Sequence, residues 1–462
     1  MTSDQSVRTG PDDGTGDGTR DPIVPLSYAQ ERVWFFDQLE PGQAAYNLTF
    51  GLRLRGQLDI GALERSLAQI IARHESLRTT FPSTGGKAYQ LIAPPAAAPA
   101  PLPVIEVTSE ADLAANAAAE SARPFDLSAG PLLRTRLFAL AADEHVLLCV
   151  VHHIVADGWS IGLLLDELGA LYSAFVAGRP SPLTELPIQY ADYVLWQREV
   201  LQGDVLDVQL QYWRSELADC PPLALPTDRP RPREQTFNGD RHWFRLPREL
   251  GDEFLALVRE QGATPFMGLL AAFQLVLARH SGQPDFAVGV PIAGRPRSEL
   301  KDLIGFFVNT LILRTDLSGD PTFRDLLART RAKAVAAYEH EDVPLQRVAT
   351  ELNYARDLSR NALFQAVFAW QDVPAREPTL PDLDVSFYSS DETVNLADLQ
   401  FNCYPEPDGL LGHLIYNRDL FDAATVERLA GHFQNVLAGI VADPDRPLSQ
   451  VSMLSAAEQA EQ

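Results

Sequence analysis

Cysteine is scarce in this 462-residue chain, and the three that occur, Cys149, Cys220 and Cys403, are scattered, odd in number and free of any C-x-x-C pair. Neither a disulfide framework nor a zinc site is indicated, and the expected compartment is the cytosol. Basic charge is also short, with 38 Lys and Arg against 62 Asp and Glu and a formal charge of -24. Nucleic acid binding needs basic surface to neutralise phosphate, so nucleic acid is not expected as a partner. No stretch approaches the roughly 18 apolar residues of a membrane span, and the N-terminus has no basic segment leading into an apolar one. Membrane insertion and secretion are therefore not expected. No short internal repeat is visible.

What the chain does have is a hydrophobic share of 46% against 22% charged, enough at this length for two or three domains with sizeable cores. Residues 1–24 are rich in Gly, Asp and Thr with almost nothing to bury, which predicts a disordered tail. Order should begin near Pro25. Apolar residues at helical spacing predict helices from Ser27, as N-cap, to 36, from Asp59, as N-cap, to 74, and over 111–122. Alternation predicts strands over 46–58 and 132–140, and the apolar run 146–151 reads as a strand buried on both faces. A helix over 160–177 stops at Gly178-Arg179-Pro180-Ser181-Pro182, the candidate boundary between an N-terminal part, 25–180, and a C-terminal part, 181–462. Beyond it, helices are expected over 188–217, 265–280, 322–340 and 423–441, and strands over 286–291, 311–315, 364–370 and 412–416. The Pro/Ala stretch 94–103 reads as a loop. Helices and strands interleave in both halves, which gives an α/β or α+β class.

Directly after the buried strand comes His152-His153-Ile154-Val155-Ala156-Asp157-Gly158-Trp159-Ser160, where strand gives way to helix. Adjacent histidines at a strand end point to opposite faces, so one can anchor inward while the other meets a cleft. Neutral imidazole is suited to taking a proton near neutral pH, and that role falls to His153. Asp157, at a turn four residues on, is better placed to hold the loop through an ion pair. Gly158 lets backbone approach a ligand, with its amide available to an oxyanion. A lone histidine is more often a core or surface residue with no task. With histidine at 9 of 462 positions, the whole pattern should arise by chance in roughly one chain in a thousand. Adjacent histidines cannot easily converge on one ion, and no third ligand sits at a familiar spacing, so metal binding is the weaker reading.

The pattern H-H-x-x-x-D-G after an apolar strand resembles the active-site signature of nonribosomal peptide synthetase condensation domains, within the chloramphenicol acetyltransferase-like superfamily. Ser27-Tyr28-Ala29-Gln30-Glu31-Arg32-Val33-Trp34-Phe35 resembles the first motif of that family, and Arg73-His74-Glu75-Ser76-Leu77-Arg78-Thr79-Thr80-Phe81 the second. Tyr190-Ala191-Asp192-Tyr193-Val194-Leu195-Trp196-Gln197 is similar to the fourth, and Ile304-Gly305-Phe306-Phe307-Val308-Asn309-Thr310-Leu311 to the fifth. His340-Glu341-Asp342-Val343-Pro344-Leu345 and Arg356-Asp357-Leu358-Ser359-Arg360-Asn361-Ala362-Leu363-Phe364-Gln365 are similar to the sixth and seventh. The match runs in order from about Pro25 to the C-terminus.

The resemblance implies two chloramphenicol acetyltransferase-like lobes in a V-shaped pseudo-dimer, with a central tunnel reached by phosphopantetheine arms from opposite sides. It implies transfer of an aminoacyl or acyl group from a carrier-protein thioester to an amine or hydroxyl, forming an amide or ester. His153 would sit mid-tunnel, while His152 and Asp157 would be largely structural and Asp157 would pair with Arg78. The partners implied are a peptidyl carrier protein donor and, as acceptor, a second carrier protein or a small amine or alcohol. No cofactor or metal of its own is expected, the arm being supplied by the carrier, and the chain would be a monomer or weak dimer. Trp159, Ser160 and Asn309 are candidate tunnel residues, although a core role suits Trp159 and a turn-stabilising one suits Asn309. Arg229, Arg231 and Arg233, alternating with Pro230 and Pro232, form a stiff basic strip that reads either as a solvated loop or as a contact for an acidic carrier.

Two departures stand out. Asn361-Ala362-Leu363 replaces the usual Asn-Pro-Leu, and Leu396-Ala397-Asp398-Leu399 stands where the family often has Phe-Asp-Leu. An epimerisation-type domain and a silent platform that recruits a partner enzyme are the alternatives, and the intact histidine motif speaks against the second. The chain has no convincing carrier-protein serine motif and no adenylating-enzyme phosphate loop, so its donor should come from another polypeptide. The Met1 start suits a free-standing enzyme, while Ser455-Ala456-Ala457-Glu458-Gln459 resembles a linker leading into an adenylation domain.

Overall fold

A computed structural model describes residues 23–95, 102–352, 357–371, 377–388, 393–395 and 397–461. Residues 1–22 of the expected tail lie outside the described residues, as do 96–101 of the Pro/Ala loop and the motif residues Arg356 and Leu396.

The first half of the chain runs through β1 (Ile23–Pro25), α1 (Tyr28–Leu39), β2 (Asn47–Gly56), α2 (Ile60–Arg73), β3 (Thr79–Thr80), β4 (Ser83–Thr84), β5 (Lys87–Ile92), β6 (Val104–Glu106), α3 (Glu110–Ala122), β7 (Leu133–Ala141), β8 (Glu144–His152) and α4 (Gly158–Val176). Next come α5 (Tyr190–Val200), α6 (Gly203–Glu216), β9 (Asn238–Leu246), α7 (Arg248–Glu260), α8 (Pro265–Ser281), β10 (Asp285–Ile292), β11 (Asn309–Asp316), α9 (Phe323–Tyr338) and α10 (Leu345–Glu351). The last stretch holds β12 (Ala366–Trp370), β13 (Leu383–Tyr388), β14 (Thr393–Val394), β15 (Leu399–Glu406), β16 (Gly409–Asn417), α11 (Ala423–Ala442) and α12 (Ala456–Glu461).

The local signals behave as expected. Ser27 Oγ accepts from Gln30 N while Gln30 returns the bond to Ser27 N, and Asp59 accepts from Ala62 N, so both caps satisfy amides that the helix cannot. β8 is buried along nearly its whole length, as its apolar run requires. The helix expected over 188–217 is two, because the chain turns at Leu201 and Gln202 before Gly203 takes a φ of +56°. Ile23 and Val24 do not belong to a tail, since β1 pairs antiparallel with β5 and Val24 is buried. β9 has no strand signal in the sequence, because its alternate residues are charged or exposed and leave no apolar run. α4 has the length and apolar composition of a membrane span. Its Leu164, Leu165, Leu168 and Leu171 are instead buried in the core of the first half.

Two sheets organise the molecule into two lobes. The N-terminal sheet has the order β13-β2-β8-β7-β6, and the C-terminal sheet the order β11-β10-β12-β15-β16-β9-β14. Each lobe has its own hydrophobic core, and Tyr190, Tyr193, Val194, Leu300, Leu303 and Phe307 form a third, smaller cluster with Val24. The boundary placed at residue 180 is crossed by the chain. β13, from far downstream, pairs with β2 and covers the edge that β2 would otherwise leave open. Ile304 and Phe306 likewise pack into the N-terminal core.

Candidate active site

β8 delivers the histidine pair to the end of the N-terminal sheet, where His152 is the register partner of Asn47. His152 points inward and is 3% exposed. Its Nδ1 accepts from Ile154 N at 3.2 Å, and Phe125 meets the ring edge-on at 5.8 Å. Burial, reinforced by the charges of His153 and Arg134, pushes its pKa down to about 3 and keeps the ring neutral. His152 is a wall residue and offers no proton chemistry.

His153 faces the other way and is half-buried. Its backbone N–H donates to Tyr46 O at 2.8 Å, which fixes the turn. Its Nδ1 lies 2.8 Å from Ala156 O, and a carbonyl only accepts, so Nδ1 carries the proton and Nε2 keeps its lone pair. Burial lowers the His153 pKa, with the nearby Asp157 charge opposing it. The Phe306 ring lies 4.7 Å from the imidazole and flanks it. The outcome is a neutral imidazole, oriented by its own loop, with a free base at Nε2.

Asp157 caps α4, with Oδ1 accepting from Ser160 N at 2.9 Å and Ser160 Oγ at 2.7 Å. The ion pair foreseen for it exists, but the partner is Arg295. Arg295 Nη1 donates to Oδ2 at 2.9 Å and Nη2 to Oδ1 at 3.0 Å, and both side chains are buried. Arg78 is instead held at the end of a one-turn helix, Glu75–Arg78, where it donates to Ala93 O with Glu75 at 3.7 Å. Arg295 reaches Asp157 from a bend at Gly294, whose φ is +63° and where a Cβ would collide with the Phe307 carbonyl. An arginine behind an obligatory glycine was the one sequence signal that could have found it.

Ser160 is not a tunnel residue. Its buried hydroxyl donates within reach of Asp157 Oδ1 and Gly305 O, and accepts from Gly305 N at 3.1 Å and Arg295 Nη2 at 3.0 Å. Trp159 is 45% exposed, which overturns a core role, and its Nε1–H donates to Lys301 O at 2.9 Å. Gly158 is the exposed first residue of α4 with open space around its Cα, so no close contact among the described residues demands a glycine there. Asn309 is spent on the loop before α10, donating to Glu341 O and Val343 O and accepting from Leu345 N. It also lines a cleft with Tyr193, Trp196, Glu341 and Asp342, a cleft that does not include His153.

Residues 304–307 tie the lobes together in a way no local pattern announces. Ile304 N donates to His74 Nδ1 at 3.3 Å, and Ser76 Oγ to Ile304 O at 2.8 Å. Tyr190 Oη donates to Phe306 O at 2.7 Å, and Phe307 N to Asp157 Oδ2 at 3.0 Å. At Gly305 a Cβ would collide with the Tyr190 ring. This segment carries Phe306 to His153 and locks Asp157 from its far side. Two arginines of the basic strip are also occupied: Arg231 forks onto Asp398, with Nη1 2.8 Å from Oδ1, and Arg229 pairs with Asp422 and with the carbonyls of Arg418 and Phe421, while Arg233 is exposed.

A family model described as "Condensation domain" matches residues 21–462. One of the linear gramicidin synthase subunits of Brevibacillus parabrevis is 47% identical over 443 residues, 94% of this chain, and the chain spans only 6% of that protein's length. The X-domain from teicoplanin biosynthesis, solved alone and in complex with OxyB, superposes with a TM-score of 0.87 at 33% identity, covering 95% of this chain and 98–99% of its own. The SgcC5 protein from Streptomyces globisporus superposes with a TM-score of 0.74 at 29% identity, covering 92% of this chain and all of its own.

Proposed function

The chain belongs to the Condensation domain family, and on that premise we propose that it transfers an aminoacyl or acyl group from a carrier-protein phosphopantetheine thioester to an amine or hydroxyl acceptor. The observation that carries this reading is the 2.8 Å contact between His153 Nδ1 and Ala156 O. With Nδ1–H bound to Ala156 O, Nε2 is the free base that an attacking N–H or O–H needs. The nucleophile bonds to the thioester carbon as its proton passes to Nε2, and the oxygen takes up the negative charge. Collapse breaks the C–S bond, and the imidazolium returns the proton to the leaving thiolate, so an amide or ester and a free arm result. The same tautomer orients an attacking group that sheds its proton elsewhere. Gly158, exposed at the start of α4, offers the oxyanion an amide that has no acceptor within its helix.

A second reading has one observation behind it. The X-domain, which was solved in complex with OxyB, resembles this chain over nearly its full length, which supports a platform that recruits a partner enzyme. The free Nε2 and the intact Asp157–Arg295 pair favour catalysis over that role. Intact-protein mass spectrometry of an acyl-loaded carrier protein, incubated with candidate amines and alcohols, separates the two. Carrier discharge with a new amide or ester, lost in His153→Ala, is expected. Binding of the carrier without discharge by any donor and acceptor pair would favour the platform.

A further inference from the structure

The C-terminal sheet packs one face against α7, α8 and α11. Its opposite face carries a row of side chains that the acyl transfer above does not use. Asn402 on β15, His413 on β16 and Trp243 on β9 are register partners across three neighbouring strands. The Trp243 ring lies 4.3 Å from the imidazole, and Tyr404, two residues along β15 from Asn402, stacks at 5.5 Å. Asn402 and His413 are buried, while Trp243 is 48% exposed.

The proton positions in this row follow from its hydrogen bonds. Gln400 Nε2 donates to Asn402 Oδ1 at 2.9 Å, which fixes the Asn402 amide. Asn402 Nδ2 is then a donor, and His413 Nε2, 2.8 Å away, must accept from it. A neutral imidazole whose Nε2 accepts carries its proton on Nδ1. Burial, with the Arg241 charge beside it, pushes the His413 pKa down to about 3 and holds that neutral form. Nδ1–H is buried and meets no acceptor among the described residues. A chain of two amides thus ends in a buried donor between two aromatic rings, its hydrogen-bonding capacity unspent.

We propose that this row is a binding subsite for an amide carbonyl in an extended acyl or peptidyl chain, with His413 Nδ1–H donating to the carbonyl oxygen and Trp243 and Tyr404 flanking the amide plane. The inference rests on the acyl-transfer reading, since it names a part of the chain being transferred. A neutral imidazole held between aromatic walls has one proton to donate, which suits a carbonyl oxygen; the Arg241 charge beside it could also draw an anion, and the phosphate control separates the two. Trp243, half in solvent, is the exposed wall of the row.

The test uses the full chain labelled with nitrogen-15 in its histidines, with long-range proton–nitrogen spectra to follow His413, assigned by its loss in His413→Phe. The probe is N-acetylglycyl-pantetheine as a non-hydrolysable thioether, and inorganic phosphate is the control. A saturable shift of the His413 Nδ1–H signal with the thioether and none with phosphate is expected. Trp243→Ala, at an exposed position, should weaken the probe about tenfold. A shift with phosphate alone would mark an anion site and overturn the proposal. A silent signal, whether the probe binds elsewhere or not at all, overturns it too and leaves His413 a structural residue. His153→Ala stops carrier discharge without altering this response, so failure of the subsite and failure of the acyl-transfer reading are separate results.

Discussion

Arg295 grips Asp157 through both carboxylate oxygens, at 2.9 and 3.0 Å, across 138 residues of chain and out of reach of solvent. The pair joins the helix that follows the histidine motif to the segment that flanks it, so its removal should be felt in both lobes.

Arg295→Ala leaves Asp157 buried without its counter-charge and should cost about 3–5 kcal/mol in urea denaturation. Arg78→Ala should cost clearly less, because among the described residues Arg78 gives up a carbonyl contact and an ion pair as long as 3.7 Å. Equal losses for both variants would return the pairing to Arg78.

Ser160→Ala removes a hydroxyl on which Asp157, Arg295 and Gly305 all depend, leaving buried groups unpaired at a cost of about 1–3 kcal/mol. Trp159→Phe should stay within about 0.5 kcal/mol of wild type, since the ring is exposed. A loss of several kcal/mol at Trp159 would restore its core role.

Gly305→Ala forces a methyl group into the Tyr190 ring and should lower stability by about 1–3 kcal/mol. The displaced segment carries Phe306, so carrier discharge should fall by more than the loss of folded protein explains. Thermal melting and turnover measured on the same samples check this, and parallel losses would show that the segment is only structural.

The buried histidines set an acid limit on stability. His152, His280 and His413 have folded pKa values of about 3, 4 and 3, below the ordinary 6.5. The unfolded chain therefore takes up protons first, so this stability is complete above about pH 6.5 and drains away as pH falls towards 3 to 4. Between pH 7 and pH 5, wild type should lose about 2 kcal/mol more than His413→Phe in urea denaturation. An identical pH slope in the two would mean that His413 is not held neutral.

The helix caps were legible before any fold was known, because a cap is a bond over three residues and its signal lies beside the element it ends. Ser27 and Asp59 both accept the amide that their positions predict. The histidine turn was legible for the same reason, since His153 Nδ1 reaches only to Ala156. β8 announced itself by an apolar run that only a two-sided burial explains.

Packing, by contrast, chose which arginine holds Asp157, added β13 to the N-terminal sheet, and made residues 304–307 bind both lobes. Each of these contacts joins residues more than a hundred positions apart, where periodicity and spacing carry no information. A charge pair is chosen by whichever guanidinium the packed backbone brings within about 3 Å, and Gly294 and Gly305 let that backbone come close enough. Local residue order was enough to set the turn at His153 and the groups that orient its ring nearby; what holds them in place came from the packed lobes, because burial and distance exist only once the chain has folded back on itself.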